Sequence, residues 1–136
     1  ECVFTTPVHA ELIKYTTNTF FATKVIFANL MFELCAKLDI EYSDFIESAL
    51  KADPRLGELH WEVPGHDGKF GFGGKCFPKD LRGMISLLNE KEIDASLLKV
   101  VQSSNLNIRK EEDQCQQDSI TEVCQLLRKT FTLPQN

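Results

Sequence analysis

From residue 9 to residue 38 the chain has neither glycine nor proline, and apolar side chains recur on most sides of a helical wheel. Leu12, Ile13, Phe20, Phe21, Val25, Ile26, Phe27, Leu30, Met31, Phe32, Leu34, Cys35 and Leu38 supply them. Such a pattern predicts one long helix buried on more than one face. A domain this small covers one face with its own core, so the other is expected against a second subunit; the plainer alternative is a simple central core helix. Ahead of it, residues 1–9 read as an extended lead-in, because Pro7 disfavours helix in the residue before it. Ser43 can cap a second helix over 44–52, with Phe45, Ile46, Ala49 and Leu50 as apolar positions, and Asp53-Pro54 ends it. Leu81, Ile85 and Leu88 mark a third helix over 78–90, with Pro78 at its first position. Asp94 can cap a fourth over 95–109. The charged run at 110–113 opens a polar tail, 111–136, holding an amphipathic stretch at 118–131. The expectation is an all-α domain over residues 10–110, built around one long helix.

Between the second and third helices, residues 56–77 hold six of the seven glycines, together with Trp61 and Pro64. Loops of this length inside compact domains usually bind something. This one ends by delivering Cys76 onto a helix start, where unsatisfied N–H groups and the macrodipole favour an anion, and Lys75 and Lys79 add positive charge. Asp80 follows one turn later, close enough to act at the sulfur or on a water beside it. Glycines at 71, 73 and 74 remove side-chain bulk from the approach. A free cysteine is ordinarily a small buried hydrophobe; this context argues for a reactive thiol. A phosphate loop ending at Lys75 would need glycine at 69 and serine or threonine at 76, where the chain has Lys69 and Cys76. A dinucleotide fingerprint starting at Gly71 would need glycine at 76 and a preceding strand.

Composition narrows the field further. A 43% hydrophobic content fits an ordinary single domain, and a net charge of −5 gives no electrostatic case for nucleic acid. No run of 18 apolar residues suggests a membrane span, and the N-terminus lacks the plan of a signal peptide, so the cytoplasm is expected. The five cysteines, at 2, 35, 76, 115 and 124, are odd in number and form no C-x-x-C pair, which favours free thiols over disulfides or zinc. His9, His60 and His66 have no metal-ligand spacing, so no metal is expected.

The loop at 71–80, G-F-G-G-K-C-F-P-K-D, resembles the active-site cysteine loop of the UDP-glucose/GDP-mannose dehydrogenase family. The stretch at 10–18, A-E-L-I-K-Y-T-T-N, is similar to that family's A-E-x-x-K-x-x-x-N helix, and D-P-R-L-G at 53–57 to its D-x-R-[IL]-G segment. Together these motifs cover residues 8–110 and correspond to the family's central domain, a helical dimerisation domain of the 6-phosphogluconate-dehydrogenase C-terminal-like type. The resemblance implies oxidation of a nucleotide sugar's C6 alcohol to the acid with two NAD, UDP-glucose being the favoured substrate. It implies Cys76 as nucleophile, through a thiohemiacetal and a thioester, and Asp80 as the carboxylate that positions water. Lys14 and Asn18 share a helical face and would hold the reacting oxygen; alone, such a pair is ordinarily solvated surface. By the same carry-over Arg55 binds substrate in the neighbouring subunit of a homodimer, and Phe72, Gly73 and Gly74 cover the sugar. NAD would be bound mainly by a domain absent from this chain, leaving the isolated chain inactive. Three departures stand out: Lys75 where serine is common, Leu30 after Asn29 where glutamate is common, and a longer stretch over 61–69. The last leaves GDP-mannose or an N-acetylated UDP-sugar as alternative substrates. A non-catalytic dimerisation module is the alternative outside the enzyme class.

Overall fold

A computed structural model describes residues 5–110. The stretch at 118–131 and Cys2, Cys115 and Cys124 lie outside the described residues. The architecture is all-α, with no strand among the described residues: α1 (Pro7–Lys37), α2 (Tyr42–Ala52), a 3₁₀ turn (Pro54–Leu56), α3 (Cys76–Glu90) and α4 (96–110).

Helix α1 starts earlier than the lead-in reading placed it. Pro7 takes the first helical position, where its missing N–H costs nothing, and the Thr6 hydroxyl accepts from the His9 N–H at 3.3 Å. At the far end, Lys37 lies in the last turn and Asp39 turns the chain out at φ +54°. Ser43 is not the cap of α2: Glu41 is, accepting from both the N–H and the hydroxyl of Ser43. Asp53 instead caps the 3₁₀ turn through the Arg55 N–H. In α3 the helix begins at Cys76, so Pro78 occupies its third position, which also needs no N–H. Asp94 receives the Ser96 N–H at 2.9 Å and starts α4.

The core joins all the long elements except α2. Ala22, Val25 and Ile26 of α1 meet Leu81 and Ile85 of α3, Ala95 and Val101 from the α4 region, and Phe72 of the loop. Helices α1 and α3 pack against each other, and Gly83 lets them: a Cβ there would come within 2.8 Å of the Tyr15 ring. Helix α1 nevertheless leaves Leu12, Ile13, Phe20, Phe27, Leu30 and Leu34 exposed on a second face. At 31 residues, with a mean hydropathy of 1.4 over its most apolar window, α1 is also long and apolar enough to cross a membrane. Length and composition therefore do not exclude a span. Three polar residues within it are committed to the domain: Asn18 bonds Asp80, Lys24 bonds the carbonyls of Leu56 and Gly57, and Asn29 bonds Gly71.

Candidate functional site

The glycine loop is fixed at both ends before it reaches the thiol. At its start, Lys24 donates to the Leu56 and Gly57 carbonyls at 2.8 and 2.9 Å and lies 4.8 Å from the centre of the Trp61 ring. Trp61 returns its indole N–H to the Gly57 carbonyl at 2.9 Å, and its own carbonyl accepts from the Tyr42 hydroxyl at 2.7 Å. Burial, aided by the nearby Cys35, pushes the Tyr42 phenol up to about 12, so it remains a donor across the physiological range.

At the loop's other end, two buried amides hold the backbone. Asn29 accepts from the Gly71 N–H at 3.0 Å, and Asn105 both accepts from the Phe72 N–H at 2.7 Å and donates to the Phe72 carbonyl at 3.0 Å. Arg109 reaches the same segment, donating to the Asp67 carboxylate at 2.9 Å and, at 3.4 Å, to the Gly71 carbonyl. Gly71 is obligatory on two counts: its φ is +68°, and a Cβ would lie 2.5 Å from the Asn105 carbonyl oxygen.

The loop then opens onto a pocket of about 450 Å³ whose lining includes Phe72, Gly73, Gly74 and Cys76, together with His60 and Arg109. Cys76 is exposed, whereas Cys35 is buried. Lys75 precedes α3 without a side-chain cap, so the N–H groups of the first turn stay available to solvent or an anion. The His60 ring lies tilted against Phe21 with centroids 4.3 Å apart, and burial, followed by the charge of Lys24, lowers its pKa.

On the same helix, about 6 Å along the axis from Cys76, Asp80 is almost wholly buried at 1% exposure. One carboxylate oxygen accepts from the Asn18 amide at 2.5 Å. The other, Oδ1, lies 2.7 Å from the Lys79 ammonium but off the line of a good hydrogen bond, so it has a charge neighbour and no well-directed donor. Lys79, opposed by burial, then Asn18 and the charge of Lys14 hold the Asp80 carboxyl below the usual carboxylate range. Lys79 is therefore engaged with Asp80.

The sequence-predicted residues thus fall into three groups. Asn18 and Asp80 are in contact, with Lys14 close enough for its charge to act on the carboxylate. Cys76, Phe72, Gly73 and Gly74 share the pocket, which Lys14, Asn18 and Asp80 do not line. Arg55 joins neither: its side chain is 89% exposed and lies along Asp53, with Nε 2.9 Å from one carboxylate oxygen. Residues 8–107 match the model of the UDP-glucose/GDP-mannose dehydrogenase family, central domain. The chain belongs to that family.

Curated relatives agree. The chain is 38% identical over 105 residues to UDP-glucose 6-dehydrogenase of Rickettsia bellii, covering 77% of this chain and 23% of the relative. It is 39% identical over 103 residues to the enzyme of the same name from Rickettsia felis (76% and 22%), and 36% over 96 residues to that of Pseudomonas aeruginosa (71% and 20%). The chain therefore spans between a fifth and a quarter of the length of these relatives. Within this central domain, reading by motif passed over Asn29 and Asn105 as holders of the cysteine loop. A signal for them exists. Asn29 stands three, four and seven residues after Ile26, Val25 and Ala22, and Asn105 four after Val101, so each puts an amide on a buried stripe where it needs a partner.

Proposed function

We propose that this chain is the central domain of an NAD-dependent nucleotide-sugar 6-dehydrogenase that converts UDP-glucose to UDP-glucuronate in the cytoplasm. The observation that carries the reading is the placement of Cys76: exposed, in the uncapped first turn of α3, on a 450 Å³ pocket and one turn from buried Asp80. An alcohol that must become an acid needs a way past the aldehyde, and a thiol supplies one. The Cys76 thiolate adds to the C6 aldehyde: a sulfur–carbon bond forms and the carbonyl electron pair moves to oxygen, where Lys14 and Asn18 hold the charge. Once C6 has given up its hydride, the product is a thioester. Water oriented by Asp80 then adds to the thioester carbonyl and gives its proton to solvent, and as the tetrahedral oxyanion collapses the sulfur leaves as thiolate. Lys79 and Asn18 keep Asp80 ionised, as that role requires. When bound, NAD would supply the hydride acceptor for both oxidations at C6. Among the described residues no strand leads into a glycine turn and helix, and in this reading NAD is bound mainly by another part of the protein.

The backbone of Phe72, Gly73 and Gly74 covers the sugar in this reading, and Arg55 leaves Asp53 to serve a neighbouring subunit's site. A homodimer through α1 is supported by Ile13, Phe20, Phe27 and Leu34, seven residues apart in turn and each about half or more exposed. Sedimentation at tens of micromolar should show a dimer that Phe20→Glu converts to a monomer; a monomeric wild type sinks the dimer. For substrate, the stretch at 61–69 contributes Glu62, His66 and Asp67 to the pocket and favours GDP-mannose or a UDP-N-acetyl sugar as the second reading. NADH formation by the full-length protein with each sugar nucleotide separates them. Loss of acid formation in Cys76→Ser is expected, and a Cys76→Ser enzyme retaining turnover within tenfold would overturn the mechanism. An upstream coding sequence without a strand and G-x-G-x-x-G would favour the non-catalytic module instead.

A further inference from the structure

We propose that Asn105, together with Asn29, is a positioning residue that fixes the wall of the thiol pocket by clamping the Gly71-Phe72 backbone; its catalytic meaning rests on the reading of Cys76 above.

Three observations converge. Both amides are buried, at 3% exposure for Asn29 and 7% for Asn105, and both bond backbone groups. Asn29 donates to the Val25 carbonyl of its own helix at 2.8 Å and spends its oxygen on the Gly71 N–H. Asn105 matches both backbone groups of Phe72, as an antiparallel strand would. The two helices that bear these residues, α1 and α4, are core elements, so the loop is referenced to the rigid part of the domain. The loop has also surrendered side-chain volume for the clamp, because no residue with a Cβ fits at 71 beside the Asn105 oxygen. Phe72, the clamped residue, faces the ring of Phe77 at 6.1 Å, and Phe77 adjoins Cys76 in the first turn of α3. Displacement of Phe72 is thereby passed to the turn that carries the thiol. A pocket wall held to a few tenths of an ångström is what orientation of a reacting carbonyl requires.

Hydrogen exchange on the 136-residue chain tests this, read as protection factors corrected for the intrinsic rate. In wild type the Gly71 and Phe72 amides should be protected at least a hundredfold more than Gly74; equal protection of all three overturns the clamp. Asn105→Leu should lower Phe72 protection at least tenfold. Asn105→Asp gives the readout that a packing role would not move. At pH 7 its carboxylate faces the Phe72 carbonyl and protection falls, whereas at pH 4.5 protonation restores a donor and protection recovers at least threefold beyond any change in wild type. No recovery in a folded Asn105→Asp chain, judged by circular dichroism, overturns the proposal even if the leucine variant fails to fold. In parallel, millimolar UDP-glucose should slow iodoacetamide alkylation of Cys76 in wild type and not in Asn105→Leu. Absence of slowing in wild type with the clamp intact counts against the nucleotide-sugar reading alone.

Discussion

Gly71→Ala and Gly74→Ala make a paired perturbation in which the backbone is the same and the surroundings differ. Both glycines have left-handed φ, +68° and +74°, so an alanine at either incurs about 1–2 kcal/mol of backbone strain. A Cβ on Gly74 meets nothing within 4 Å, whereas one on Gly71 would lie 2.5 Å from Oδ1 of Asn105. That oxygen cannot remain in place, and moving the Asn105 amide leaves the buried Phe72 N–H and carbonyl without partners. Each orphaned group costs about 1–3 kcal/mol. Gly71→Ala should therefore be less stable than Gly74→Ala by at least about 2 kcal/mol, or about 8 °C or more in Tm for a domain of this size. Urea titration followed by far-UV circular dichroism measures the difference. Equal stabilities, within about 0.5 kcal/mol, would refute the argument that Asn105 and the loop backbone are locked together.

Two further outcomes follow from the packing of α1 on α3. The Asp80 carboxyl is depressed in the fold, so it contributes stability that is full above its unfolded pKa and lost as pH falls through the folded value. The wild type should weaken with acid below about pH 4, and Asp80→Asn should show a flatter profile there; parallel profiles count against the Lys79 and Asn18 contacts as the cause. Gly83→Ala sets about 1–3 kcal/mol of overpacking against the Tyr15 ring over a helix-propensity gain of about 1 kcal/mol, and should destabilise. In a Tyr15→Ala background the same change should stabilise, and an unchanged sign would mean that the helix crossing is not set by this contact.

Much of this was legible in the chain, for reasons that also explain what was not. Helix α1 could be read because thirty residues without glycine or proline leave the backbone few alternatives, and its two apolar faces are both visible in the structure. Cap positions were harder. Ser43 and Glu41 both carry suitable oxygens, and in the fold Glu41 accepts from the N–H and hydroxyl of Ser43. The thiol's place at a helix start was readable from Pro78, although proline tolerates any first-turn position and so left the start uncertain by two residues. The contact between Asn18 and Asp80 spans 62 residues, and motif resemblance could put both in one site without saying that they touch. Asn29 and Asn105 were passed over because their partners are backbone groups, which leave no complementary residue in the sequence to pair with them.

If Cys76 attacks the aldehyde carbon of a nucleotide sugar, carbon NMR can observe the bond that forms. The C6 aldehyde of UDP-glucose, labelled with carbon-13 at C6, is added to the 136-residue chain. Attack by the Cys76 sulfur should give a new tetrahedral C6 resonance of a sulfur-bonded carbon, distinct from the aldehyde hydrate and absent in Cys76→Ser. Identical spectra for the wild type and Cys76→Ser would contradict it.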